Sequence, residues 1–246
     1  MERRNPGNMA SEPVIVPGFS KSTVPEMMEK SNPVGLDGLE SLLTYQRLSS
    51  YLAATDNDST STVELYNWNA RANAAALHMV GMVEVLVRNA LDRELVTWAD
   101  NRNAIWFDIV PLDNRGKSAI RLARDRATNS GRHAEIPGKV IAELTFGFWR
   151  YLCAQRYLTT LWTPALHKAF PLGPTDITTR RFDVETRLDR LNTVRNRAAH
   201  HKPNHRRDLM RDFAAAQDLA GWIAPQAQSW LVQESFLPAI IFEKPK

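Results

Sequence analysis

Apolar residues recur along most of this chain at steps of three and four, the spacing that lines one side of an α-helix, and no stretch reads convincingly as a strand. The longest pattern carries Leu65, Trp68, Ala72, Ala75, Ala76, Met79, Val83, Leu86, Ala90 and Leu91. It predicts one long helix reaching Trp98, opened by a capping box between Ser61 and Glu64. So broad an apolar side suits the central helix of a bundle. A second pattern, Phe182, Val184, Leu188, Leu191, Val194 and Ala198, predicts a helix from about Asp176 to His201 with one buried stripe. Arg187, Asp189 and Arg190 lie off that stripe. Pro203 disfavours helical backbone at Lys202 and so places the helix end at His200 or His201.

Shorter elements fill the rest. A helix capped by Asp37 is predicted through Leu39, Leu42, Leu43, Leu48, Tyr51 and Leu52, followed by a polar loop from Thr55 to Thr62. Residues 101–114 read as loop, and Arg115 to Thr128 as a charged, exposed helix broken by Asn129-Ser130-Gly131. Pro137 opens a helix whose apolar face is Val140, Leu144, Phe148, Tyr151 and Leu152. Thr163 and Pro164 look like the cap and first position of a short helix to Phe170, and Asn204 like the cap of a helix through Leu209, Phe213 and Leu219. Trp222, Trp230, Leu231 and Phe236 predict a last apolar segment that returns to the bundle or meets a partner. Residues 1–36, with Pro6, Pro13, Pro17, Pro25 and Pro33 and little periodicity, read as a disordered leader. The expectation is an all-α protein: a helical bundle with extra helices over residues 37–246.

Composition narrows this only locally. The 246 residues carry 31 Lys and Arg against 27 Asp and Glu, a balance that by itself decides nothing about nucleic acid. Between Arg195 and Arg207, however, lie Arg197, Lys202, Arg206, His200, His201 and His205 with no acidic residue, a patch suited to a polyanion. Cys153 is the only cysteine, so an internal disulfide framework and a cysteine-cluster zinc site are excluded. Met1 to Ser11 has no apolar core of a secretory signal. No uninterrupted apolar run approaches the ~18 residues of a membrane span. The longest candidate, Ala74 to Leu91, carries His78, Glu84, Arg88 and Asn89. A cytoplasmic protein without a membrane segment is expected.

The chemistry concentrates in Val194-Arg195-Asn196-Arg197-Ala198-Ala199-His200-His201-Lys202-Pro203. A guanidinium can hold a phosphate, and an imidazole titrating near about 6.5 can move a proton at cellular pH. On a regular helix, Arg195 and His200 are separated by roughly 140° and ~7.5 Å. They meet at one phosphate only if the last turn loosens or a second copy of the motif faces the first. A plainer alternative is a basic last turn that complements the helix dipole. Glu84 and Arg88, one turn apart, form either a surface ion pair of little energetic weight or, facing a cleft, a substrate-positioning pair. A His200, His201 and His205 metal site is disfavoured, because Pro203 interrupts the helix and no carboxylate follows before Asp208. Neither metal nor cofactor is expected.

Arg195-Asn196-x-x-x-His200 resembles the Arg-Asn-x-x-x-His signature of HEPN domains, a superfamily of small helical bundles that includes metal-independent endoribonucleases. Glu64-Leu65-Tyr66-Asn67-Trp68-Asn69, Glu84 to Asp92, and Leu144-Thr145-Phe146-Gly147-Phe148-Trp149 with Leu161-Trp162 are similar to segments of Abi-like (abortive infection) proteins, as is the doubled His200-His201. The resemblance spans roughly residues 40–220, in the expected order. HEPN proteins targeted by partner nucleotidyltransferases carry a Tyr three residues after the motif histidine; Pro203 stands there in this chain. The resemblance implies RNA cleavage without metal, by attack of a ribose 2′-hydroxyl on the neighbouring phosphate. Arg195 and His200 would be the catalytic pair, with His201 a second candidate for proton transfer; Asn196 would orient substrate, fix the His200 ring or cap the last carbonyls, Arg197 and Lys202 would position phosphate, and Glu84 and Arg88 would be auxiliary. It also implies a homodimer with a composite site, a role in phage defence or as a toxin, and possible restraint by a neutralising partner protein. The alternative is a non-catalytic HEPN-like dimeric module that binds RNA or protein.

Overall fold

The computed structural model of the chain describes residues 38 and 41–245. The expected leader, residues 1–36, and the cap at Asp37 lie outside the described residues. The described chain is 73% helix without a strand, so the protein is all-α. Among the described residues, ten α-helices with defined bounds follow one another: α1 (Tyr45–Leu52), α2 (Ser59–Asp100), α3 (Trp106–Ile109), α4 (Asn114–Ala127), α5 (Pro137–Glu143), α6 (Phe146–Leu152), α7 (Ile177–Ala199), α8 (Leu209–Ile223), α9 (Pro225–Glu234) and α10 (Leu237–Phe242).

The 42-residue α2 is the axis of the bundle and packs against α1, α3, α6, α7, α8, α9 and α10, while α4 and α5 pair with each other beside α6. An 18-residue stretch of α2 has mean hydropathy 1.3, enough by length and composition to cross a membrane; half of that stretch is buried against its neighbours, as a central helix requires. The helix starts one turn earlier than its capping-box pattern indicates. Asp58 is the N-cap, its carboxylate accepting from the Ser61 N–H at 2.7 Å. Thr62 is buried and its hydroxyl donates back to the Asp58 carbonyl, so Ser61 already sits inside the first turn.

Against α2 lies α7, whose Val184, Leu188, Leu191 and Val194 are fully buried. Each such residue contributes about 1.5–3 kcal/mol relative to exposure, which seats the helix firmly. Phe182 is 60% exposed and does not belong to this stripe. It lies two residues from Val184, and two residues turn a helix by roughly 200°. The start of α7 is fixed by Asp176, which accepts from the Thr179 N–H at 2.7 Å, and by Trp162, whose Nε1 donates to the Ile177 carbonyl at 2.7 Å.

Three other expectations are corrected by local backbone geometry. The helix opened by Pro137 is two helices, because Leu144 is extended and Thr145 caps α6 by accepting from the Phe148 N–H. Thr163 ends a π turn (Leu158–Trp162), and only a 3₁₀ turn (Leu166–Ala169) follows Pro164. The stretch 101–114 contains α3, anchored by the buried Trp106, which donates to Asp92 at 2.7 Å. At the C-terminal side Leu231 is buried, the Arg187 guanidinium lies 4.3 Å over Trp222, and Phe236 stacks on His78 at 4.7 Å.

Candidate functional site

The motif helix ends abruptly. Its last regular residue is Ala199, and His200 is the C-cap. The His201 N–H then donates to the Ala198 carbonyl at 2.9 Å and the Lys202 N–H to the Arg197 carbonyl at 2.8 Å. This is the Schellman pair of bonds, and it needs a left-handed residue at the position of His201. His201 supplies it at φ 52°, where glycine is the usual occupant. The stop therefore lies in the left-handed turn at His201, with Pro203 reinforcing it two residues later. Replacing His201 by Gly is expected to raise stability by about 0.5–1 kcal/mol, since a β-carbon is strained there. A thermal melt checks this, with a rise of ~1–4 °C expected for a chain of this size.

The segment after the turn is latched onto α2 by amides. Asn204, buried, donates its backbone N–H to Asn69 Oδ1 at 2.6 Å and its side-chain amide to Asn73 Oδ1 at 2.7 Å. Asn73 in turn donates to the Lys202 carbonyl at 3.2 Å. Arg197 completes the latch from α7: Nε donates to Asn204 Oδ1 at 2.8 Å and Nη2 to the Pro203 carbonyl. Arg197 thus has its guanidinium turned to the loop rather than to solvent, and Lys202 takes part through its backbone. Asn204 belongs to this latch and does not cap α8. That role falls to Asp208, which accepts from the Arg211 N–H at 2.9 Å.

Arg195 leaves α7 on another side, toward α2 and α6. Glu84 is half-buried there, and burial raises its pKa, opposed by the nearby Arg195 and Arg88 guanidinium groups and by the Phe146 backbone N–H. Burial is the larger influence: among the described residues no ion pair within 4 Å joins Glu84 to Arg195, and no hydrogen bond within 3.5 Å joins it to the Phe146 N–H. Glu84 and Arg88 do not form an ion pair within 4 Å among the described residues; Arg88 donates instead to Asn89 Oδ1 at 3.4 Å. Arg195 is exposed and donates to Asn196 Oδ1 at 3.3 Å, so the Asn196 side chain serves Arg195 and does not hold the His200 ring.

The Glu84 shift has a measurable sign. A carboxyl raised above its ordinary value near 4.5 binds its proton more tightly in the folded chain, so its ionisation costs stability. Wild type and Glu84→Gln are expected to melt together below about pH 4.5, with wild type falling behind as pH rises through the raised value. Paired melts at pH 4 and pH 7 would show it; an unchanged difference would count against the burial of this charge.

His200 is exposed at the helix end, and its side chain makes no hydrogen bond among the described residues. Because α7 is regular through Ala199, the roughly 140° between Arg195 and His200 persists within one chain. His200 lies instead on the side of α7 that carries Thr193, seven residues earlier and only roughly 20° away. Thr193 belongs to a groove of about 430 Å³ between α7 and α8, lined by Asp189 and Asp218 as well as Arg187, Arg190, Arg207 and Arg211; Arg187 is paired with Asp218, and Arg190 and Arg207 with Asp212. His205 is buried against Tyr51 with ring centres 4.8 Å apart, and its pKa is pushed down by burial and by the neighbouring Arg206 and Lys244. Among the described residues no three His, Cys, Asp or Glu side chains form a possible metal ligand set. Asn69 and Asn73 were not singled out as site residues from the sequence, although two amides one turn apart within the apolar pattern of α2 are the signal that marks them. Compared with family models, curated proteins and solved structures, the chain matches none.

Proposed function

We propose that this protein is a metal-independent endoribonuclease of the HEPN, Abi-like kind that works as a homodimer. The observation that carries the reading is the exposed Arg195 and His200 at the end of α7, a guanidinium and an imidazole with no ion-pair partner among the described residues. In the reaction a ribose 2′-oxygen bonds to the adjacent phosphorus while the bond to the 5′-oxygen breaks. His200 takes the 2′-hydroxyl proton or delivers one to the departing oxygen, and Arg195 stabilises the charge on the phosphate oxygens. Since Arg195 and His200 face different sides of one helix, the working pair is Arg195 of one copy and His200 of the other. Asn196 orients Arg195. Phage defence or toxin action, a cytoplasmic location and restraint by a neutralising partner follow from the resemblance alone.

Attack by the 2′-hydroxyl makes a direct demand on the substrate. RNA carrying a single 2′-deoxy nucleotide at the cleaved position is expected to resist, and the cleaved parent to end in a 2′,3′-cyclic phosphate. Equal cleavage of the 2′-deoxy substrate would overturn the mechanism. The separation of Arg195 from His200 within one chain favours one other reading, a HEPN-like dimeric module that binds RNA or a protein without cutting. In that case His200→Ala would leave RNA affinity unchanged and wild type would leave RNA intact.

A further inference from the structure

Beside the strained turn at His201 lies a pocket of about 290 Å³, lined by Arg47, Tyr51, Tyr66, Asn69, Asn73 and His201. No acidic residue lines it, and Arg47 has no ion-pair partner among the described residues. Its floor is specific. Asn69 is 97% buried, being 3% exposed, and its Oδ1 must face the Asn204 N–H from which it accepts. That fixes the amide orientation, and the Asn69 NH₂, on the pocket wall, donates to no group among the described residues. Asn73 has both ends of its amide committed to Asn204 and Lys202, so it holds the floor in place. The Tyr51 hydroxyl has no hydrogen-bond partner among the described residues and remains protonated, burial pushing its pKa up to about 12. Tyr66 meets Tyr51 edge to face at 5.3 Å and supplies an aromatic wall.

The pocket thus presents one fixed cation, the Asn69 amide, a tyrosine hydroxyl and an imidazole held at φ 52°. Left-handed non-glycine residues persist where surrounding structure over-determines them, often at ligand sites. We propose that this pocket binds the phosphate of a nucleotide, with Arg47, the Asn69 NH₂ and His201 on its oxygens and Tyr66 against the base. Phosphate oxygens are the acceptors such a donor set matches, and an aromatic wall suits any base. The nucleotide is either the one next to the cleaved bond in RNA or a free mononucleotide. Assignment to the RNA chain rests on the ribonuclease reading; the pocket itself does not.

The test uses the full chain carrying His200→Ala, which keeps RNA intact, with AMP followed by calorimetry and labelled oligoadenylate RNA by fluorescence anisotropy. Asn69→Asp keeps an acceptor for the Asn204 N–H and replaces the free NH₂ by a carboxylate oxygen, whose charge also opposes a bound phosphate. Arg47→Gln removes the charge from α1 and carries the test should Asn69→Asp melt early. Each is expected to weaken AMP binding by roughly ten-fold or more, as loss of a charge-assisted contact does. AMP that displaces RNA assigns the pocket to the RNA chain, and AMP bound alongside RNA assigns it to a free nucleotide. Undetectable AMP binding by the parent, or an affinity in both variants equal to the parent's, would overturn the proposal. Failure of the ribonuclease reading would appear separately, as RNA left intact by the wild-type chain.

Discussion

Arg195→Ala and His200→Ala are each expected to lower RNA cleavage by about 10²–10⁴-fold, the range that a positioned proton-transfer group or a charge-stabilising donor supplies. Neither change should disturb the fold. Both side chains are exposed, and neither takes part in the latch that holds the loop after α7. The two losses should also overlap in the double variant rather than multiply, because groups acting in one step are not additive. Single-turnover cleavage rates with circular dichroism melts measure both halves of this claim. A loss of activity accompanied by a fallen melting temperature would point to damage elsewhere.

Asp212→Ala is expected to be the most destabilising change on the motif side of the bundle. Asp212 is fully buried on α8 and accepts two bonds from Arg207, at 2.6 and 2.8 Å, while Arg190 of α7 lies 2.6 Å away. Arg207 also donates to the Arg190 carbonyl at 3.1 Å, and Arg190 to the Asp208 carbonyl at 2.9 Å. The carboxylate therefore joins α7, the loop before α8 and α8 itself. Its removal leaves two guanidinium groups facing each other with nothing between them, a loss of about 3–5 kcal/mol. Urea unfolding measures it as a shift of midpoint with unchanged slope. A shift of under about 1 kcal/mol would mean that water replaces the carboxylate, as at an exposed ion pair.

The long helices were readable because their patterns are long: α2 and α7 each repeat an apolar side over many turns, and their packing followed. Their ends were less readable. Asp58, Ser61 and Thr62 are all acceptable near a helix start, and only the burial of Thr62 decides among them. The break between α5 and α6 was hidden because Leu144 continues the apolar pattern while its backbone is extended. Within the site, Arg195, His200 and Glu84 were visible as chemistry. The task of Arg197 was not, since it depends on the Pro203 carbonyl and on Asn204, which is itself held by Asn69 and Asn73 on a helix more than 120 residues earlier in the chain. The pocket of Arg47, Asn69 and His201 was equally invisible, because it joins α1, α2 and the turn after α7.

The central claim is that Arg195 of one copy and His200 of another cut RNA without metal. The most direct measurement is cleavage of labelled RNA in excess EDTA by wild type, by each single variant, and by the two variants dissociated and reassembled as an equal mixture. In a two-fold dimer, half of the reassembled pairs are mixed and each mixed pair keeps one intact site, so about a quarter of wild-type activity should return from two inactive proteins. A mixture no more active than either variant alone, or a folded wild type that leaves the RNA whole, would contradict the account.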